Sequence, residues 1–151
     1  ITSQQADGRL HLYTLDIGQG DAILIVAPDG KQILIDGGPD PIPLLAQLGD
    51  RLAPWDRTID LVILTHADAD HLGGLPELLN RYRVLNVMDS GFDHTTALYE
   101  AWETQLEGHS LLPQRAVRQQ RWHLGKGAIL EVIAPADTTF EKLNSNSVRT
   151  L

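Results

Sequence analysis

Four side chains able to bind a metal ion fall within six residues of one another: His66, Asp68, Asp70 and His71, in the stretch Thr65-His66-Ala67-Asp68-Ala69-Asp70-His71-Leu72-Gly73-Gly74. Two imidazoles and two carboxylates suit a borderline divalent cation such as Zn²⁺, and the carboxylate share also admits Mn²⁺. In an extended segment His66, Asp68 and Asp70 would point the same way, and His71 would join them only if the backbone turned. That geometry favours two neighbouring cation sites over one. The plainer reading makes Asp70 the N-cap of a helix starting near Leu72 or Leu75. Capping does not account for four ligands at one strand end, followed by two glycines that allow close backbone approach.

The elements that must hold this stretch can be read from hydrophobic period. Leu61-Val62-Ile63-Leu64 is an unbroken apolar run, the pattern of a strand buried on both faces, and it leads straight into the ligands. Upstream, Leu10 to Asp16 alternates as a half-buried strand does, and Ile17-Gly18-Gln19-Gly20-Asp21 is a tight turn. Ala22 to Val26 returns, Pro28-Asp29-Gly30-Lys31 marks a hairpin, and Gln32 to Asp36 follows, giving an antiparallel meander. Asp16, Asp21 and Asp36 each stand at a strand end beside glycine, where turn chemistry alone explains any one of them. All three together suggest a site.

From Pro41 the period becomes helical and ends about Gly49. Further helices are expected over Leu75 to Tyr82 and Thr96 to Glu107. Strands are expected over Val84 to Met88, Trp122 to Leu124 and Ala128 to Ala134. A meander followed by alternating strands and helices gives an α/β architecture, a mixed sheet with helices outside. Trp102 and Trp122 are read as core or interface aromatics and not ligand platforms. His11, His94, His109 and His123 lack ligand spacing, although His94 follows a strand in a loop-like segment.

The composition limits the functions available. The 151 residues make one domain, and 42% are hydrophobic, enough for a core. Twelve basic residues against twenty acidic ones give a net charge of −8, which opposes unaided binding of phosphates. There is no cysteine, so thiolate ligands, thiol nucleophiles and disulfides are excluded. No run approaches the ~18–20 apolar residues of a membrane span. The opening residues lack a signal pattern and the last ones read as a strand getting under way, so a fragment of a longer product is expected.

Taken together, these motifs resemble a family. Thr65 to Gly74 is similar to the His-x-His-x-Asp-His motif of the metallo-β-lactamase fold, with Asp68 at the second His position. Leu15 to Asp21 resembles the Asp-Val-Gly-Gln-Gly-Asp signature of the branch containing the domain of ComEC, the DNA internalisation-related competence protein. Leu34-Ile35-Asp36-Gly37-Gly38 is similar to that branch's next motif, and Asn144-Ser145-Asn146-Ser147-Val148 to its Asn-x-Asn-Ser segment.

The resemblance implies an αββα sandwich, of which this chain is roughly the first half, truncated at its C-terminus and excised from a larger membrane protein. It implies a metal-dependent hydrolase, a phosphodiesterase or nuclease acting on DNA during competence-related uptake. His66 and Asp68 would hold one of two divalent cations, Zn²⁺ or Mn²⁺, and Asp70 and His71 the other. Asp70 would also orient the attacking water. Asp16, Gln19, Asp21, Asp36, Asn146 and Ser147 would stand behind the ligands or at the mouth. The later motifs that complete the metal shell are missing, so this stretch alone is expected to bind metal weakly or not at all and to be inactive. Its implied partners are DNA, a membrane channel domain of the same chain, the C-terminal half of the fold, and a second copy of the fragment. Its implied place is the extracytoplasmic side of a bacterial inner membrane. Two alternatives remain: a non-catalytic DNA-gating module, and a hydrolase of small esters or lactones.

Overall fold

A computed structural model describes residues 6–91 and 94–134, and the backbone of 148–150. Three strands, β1 (His11–Thr14), β2 (Ile23–Val26) and β3 (Gln32–Ile35), form the expected antiparallel meander. Helix α1 (Pro41–Arg51), the short strand β4 (Thr58–Ile59) and strand β5 (Leu61–Leu64) follow. Next come α2 (Ala69–Leu72), α3 (Leu75–Arg81), β6 (Arg83–Val84), β7 (Val87–Asp89) and α4 (Ala97–Gly108). The remaining strands are β8 (Gln114–Arg115), β9 (Arg121–His123), β10 (Ile129–Glu131) and β11 (Val148–Thr150). The main sheet has the order β1-β2-β3-β5-β7-β8, antiparallel as far as β3 and parallel beyond it. Strands β10, β9 and β11 make a second, smaller sheet, and β4 pairs with β6.

The period-2 alternation of the central strands divides the apolar side chains between two layers. Leu24, Leu34, Val62, Leu64 and Val87 face one way and pack on Leu44 and Leu48 of α1, Leu75 and Leu78 of α3, and Trp102 and Leu106 of α4. Ile25, Ile33, Leu61 and Met88 face the other way and pack on Trp122 and Leu124. Helices therefore cover one side of the sheet and the second sheet begins to cover the other. Each fully buried Leu or Ile contributes about 1.5–3 kcal/mol. Trp102 and Trp122 are core residues, as their type suggested.

Three local readings need correction. Helix α1 runs past Gly49 to Arg51, because the α-helical bonding continues until the Leu52 N–H closes on Leu48 O. The run from Val84 to Met88 is two strands, since Val84 pairs with Ile59 and Val87 with Val62, and the chain steps between sheets at Leu85 and Asn86. Strand β1 is half-buried through Tyr13, which packs on the helical core, while Leu12 is 59% exposed on the opposite side of this edge strand.

The parallel strands end side by side. Ile35 pairs with Ile63 and Leu64 with Asp89, so the segments leaving β3, β5 and β7 emerge at one edge. Among the described residues, no helix is long and apolar enough to cross a membrane.

Candidate metal centre

Asp36 is the first residue beyond β3, and it sits in the left-handed region at φ 58. Asp tolerates that conformation better than most residues. Its N–H donates to Ile63 O at 2.8 Å, holding the turn against β5. The conformation swings its carboxylate, 4% exposed, beneath the loop that carries His66 and Asp68. Oδ1 accepts the Thr65 N–H at 2.8 Å, and Oδ2 accepts the Thr65 hydroxyl at 2.6 Å. The same Oδ2 lies 3.0 Å from His71 Nδ1. One buried carboxylate thus ties the end of β3 to the end of β5 and to α2.

The loop then turns. Asp68 occupies the N-cap position of α2 with extended backbone and no side-chain capping bond, and Leu72 anchors the turn in the core. Asp70 therefore lies inside α2 and does not cap a helix. Nor do His66, Asp68 and Asp70 line one side of an extended segment, because the helical turn places Asp70 and His71 together. The donors form two pairs. His66 Nε2 is 3.6 Å from Asp68 Oδ2, and His71 Nε2 is 4.0 Å from Asp70 Oδ1. The two imidazole rings lie 3.8 Å apart between centroids, tilted by 47°. Exposure climbs outward from the buried Asp36 through His71 and Asp70 to the solvent-facing Asp68.

Glycines let the neighbouring backbones meet this turn. A Cβ at Gly73 would collide with the Pro39 carbonyl, one at Gly74 with the Gly37 carbonyl, and one at Gly20 with the Asp70 carbonyl. Gly37 N–H donates to His71 O at 2.7 Å, and Gly74 N–H to Gly38 O at 3.0 Å. Asp21 N–H donates to Asp70 O at 3.3 Å, and its own carbonyl accepts from Gly38 N–H at 3.0 Å. The loop carrying Asp16, Gln19 and Asp21 is thereby laid on α2, with all three residues exposed. Asn146 and Ser147 lie outside the described residues.

Two further residues belong to this edge. Thr65 was embedded in the motif, and its hydroxyl bridges Asp36 Oδ2 and His66 Nδ1, the latter at 2.9 Å. The signal for it is a hydroxyl residue between a buried strand and a candidate ligand histidine. Asp89 ends β7 beside Leu64. Burial pushes its carboxyl above the ordinary range, against the pull of the Gly91 N–H and the charges of Arg115 and His94. His94 stands nearby with its ring 5.1 Å from that of Tyr99.

The donor set suits a borderline divalent cation in kind. In number it is partial: among the described residues no group of three or more His, Asp or Glu side chains is placed to hold one ion. Each His–Asp pair offers two of the three protein ligands usual at a catalytic zinc.

Comparison with known proteins agrees with this architecture. The sequence profile of the Metallo-beta-lactamase superfamily matches residues 15–141, and the chain belongs to that superfamily. A hydroxyacylglutathione hydrolase of Xylella fastidiosa (strain M12) is 41% identical over 63 residues, which is 42% of this chain and 22% of that protein. A ribonuclease Z of Clostridium kluyveri is 38% identical over 68 residues, 45% of this chain and 20% of that protein. The solved Rm3 metallo-beta-lactamase superposes with a TM-score of 0.53 at 23% identity, over 82% of this chain and 49% of that one. The chain thus spans about half of that structure, and its matches span about a fifth of those two relatives. The shared fold is the metallo-beta-lactamase one, mixed α/β about a central sheet, and the superfamily's members are metal-dependent hydrolases.

Proposed function

We propose that this chain is the first half of a two-cation hydrolase domain that cleaves phosphodiester bonds in DNA. The observation that carries the reading is the pairing of His66 with Asp68 and of His71 with Asp70 on one turn, at the sheet edge where parallel strands end. Sites in open α/β sheets form at that edge. His66 and Asp68 would hold one cation and Asp70 and His71 the second, with Zn²⁺ or Mn²⁺ both suited to the donors. Such ions, when bound, supply Lewis acidity and a water acidic enough to react near neutral pH.

The chain's own residues do the rest. Asp70, partly exposed beside His71, accepts a hydrogen bond from the attacking water and so aims it. Asp36 holds the loop from behind, and Asp16, Gln19 and Asp21 border the approach. With a net charge of −8, the protein as a whole repels a polyanion, and bound cations would meet its phosphates.

A phosphodiester substrate is supported by the match to a protein named as a ribonuclease, and DNA by the resemblance of Leu15 to Asp21 to the ComEC branch. On that basis the proposed setting is DNA uptake. The partners would be a membrane channel domain and the C-terminal half of the fold, on the extracytoplasmic side of a bacterial inner membrane. The 41% match to a hydroxyacylglutathione hydrolase favours a second reading, hydrolysis of a thioester or related small ester.

The deciding experiment gives the complete domain, loaded with Mn²⁺ or Zn²⁺, linear DNA and a panel of thioesters and lactones, with Asp70→Asn as control. DNA cleavage lost in the variant is the expected result. Turnover of small esters alone would transfer the site to the second reading. Metal binding without either activity, or no binding at all, would leave a DNA-gating module.

A further inference from the structure

The metal reading above requires each histidine to present an unprotonated nitrogen to a cation, and the structure shows how that is arranged. Thr65 Oγ1 lies 2.6 Å from Asp36 Oδ2 and 2.9 Å from His66 Nδ1. A hydroxyl has one proton, and a carboxylate oxygen only accepts. The Thr65 proton therefore points to Asp36, and the oxygen's lone pairs face His66 Nδ1, which must carry a hydrogen. The same rule applies directly at His71, whose Nδ1 lies 3.0 Å from Asp36 Oδ2. In both rings Nε2 is left with its lone pair, and in both it faces a ligand carboxylate, at 3.6 Å and 4.0 Å.

We propose that Thr65 is a positioning residue whose hydroxyl relays the Asp36 carboxylate to His66, so that one buried carboxylate sets the Nδ1–H tautomer of both imidazoles. Oδ2 serves both rings in this way, taking the His71 hydrogen directly and the Thr65 proton that leaves the hydroxyl's lone pairs facing His66. Thr suits the place. Its branched Cβ restricts χ1, and the bond from its own N–H fixes the backbone from which the hydroxyl projects. His66 is substantially exposed, so without the hydroxyl, water can satisfy either nitrogen. The ring then relaxes to the Nε2–H form that free imidazole side chains favour, which turns a donor hydrogen toward the metal position. This inference rests on the metal reading only for its consequence, not for the tautomers themselves.

The test is nitrogen NMR of the metal-free full chain labelled with ¹⁵N-histidine, at a pH above imidazole titration, with His66→Asn and His71→Asn variants to assign the rings. Nδ1–H for both rings is expected in the unmodified protein. Thr65→Val should convert His66 to Nε2–H while His71 stays, and in the complete domain should weaken Zn²⁺ binding about 10-fold; Thr65→Ser should restore both. An Nε2–H ring at His66 in the unmodified protein overturns the relay, and this measurement needs no variant at Thr65 to fold. So does a Thr65→Val protein that keeps the Nδ1–H ring and full affinity. Correct tautomers in a complete domain that binds no Zn²⁺ would instead overturn the metal reading and leave the relay standing.

Discussion

Replacing Asp36 with Asn separates the carboxylate's part in stability from its part in metal binding. The amide keeps the size of the side chain and its tolerance of φ 58. Its oxygen can still accept the Thr65 N–H, bonded at 2.8 Å in the parent. Its nitrogen must then stand where Oδ2 was, facing Thr65 Oγ1 and His71 Nδ1. Two acceptor positions become donor positions. Thr65 can turn its proton toward His66, and His71 can move its hydrogen to Nε2, so the network closes again in reversed polarity.

The cost in stability is the difference between bonds to a charged group, about 1.5–3 kcal/mol each, and neutral ones, about 0.5–1.5 kcal/mol. Over three bonds, two of them from the exposed Thr65 and so partly replaceable by water, that comes to about 1–3 kcal/mol. For a chain of this size it lowers Tm by roughly 3–10 °C. Metal affinity suffers more, because both Nε2 atoms then carry hydrogen, and a loss of at least 10–100-fold is expected. Asp36→Ala, which removes the shared acceptor of the Thr65 N–H, the Thr65 hydroxyl and His71 Nδ1, should destabilise by more than the Asn change. Urea titration at unchanged slope and thermal melting of these three proteins, with Zn²⁺ calorimetry on the complete domain carrying the same changes, make the comparison. An Asn variant that binds Zn²⁺ like the parent, or one whose Tm moves by less than about 1 °C, would refute the bonding scheme.

Two other outcomes are expected. Gly74→Ala drives a Cβ into the Gly37 carbonyl, and should cost about 1–3 kcal/mol as the two backbones part, read as a lower urea midpoint. Asp60, at the other end of the sheet, has its carboxyl raised chiefly by burial and further by Asp56 and Asp29, against the Gln32 N–H and Lys31. A carboxyl raised in the folded state weakens folding above its folded pKa and costs nothing below its unfolded value near ~3.9. Asp60→Asn, which can still accept the Gln32 N–H bonded at 2.8 Å, should therefore melt higher than the parent at pH 7. That advantage should vanish as the pH falls below about 4; an equal gain at pH 3 would point to a cause other than the buried charge.

Much of this protein is legible in local patterns, because burial on a strand or helix writes a period into the chain. The meander, the buried strand Leu61 to Leu64 and the helix around Trp102 follow from apolar spacing, and the ligand types of His66, Asp68, Asp70 and His71 from their chemistry. The glycine pair Gly73-Gly74 could be seen as a site of close approach, though not that the Pro39 and Gly37 carbonyls approach it. The split of Val84 to Met88 was not legible, since one short segment serves two sheets and only the partners Ile59 and Val62 separate them.

The sequence by itself determined the class of fold, the donor set and its place at the end of a buried strand. Only the tertiary structure decided how the donors pair. The turn of α2, pinned by Leu72 in the core, sets His71 beside Asp70 and the two rings 3.8 Å apart. A side chain 29 residues upstream of Thr65 holds the loop that carries them. The physical reason is that local period encodes burial, whereas the direction of a hydrogen bond depends on which distant acceptor the fold delivers.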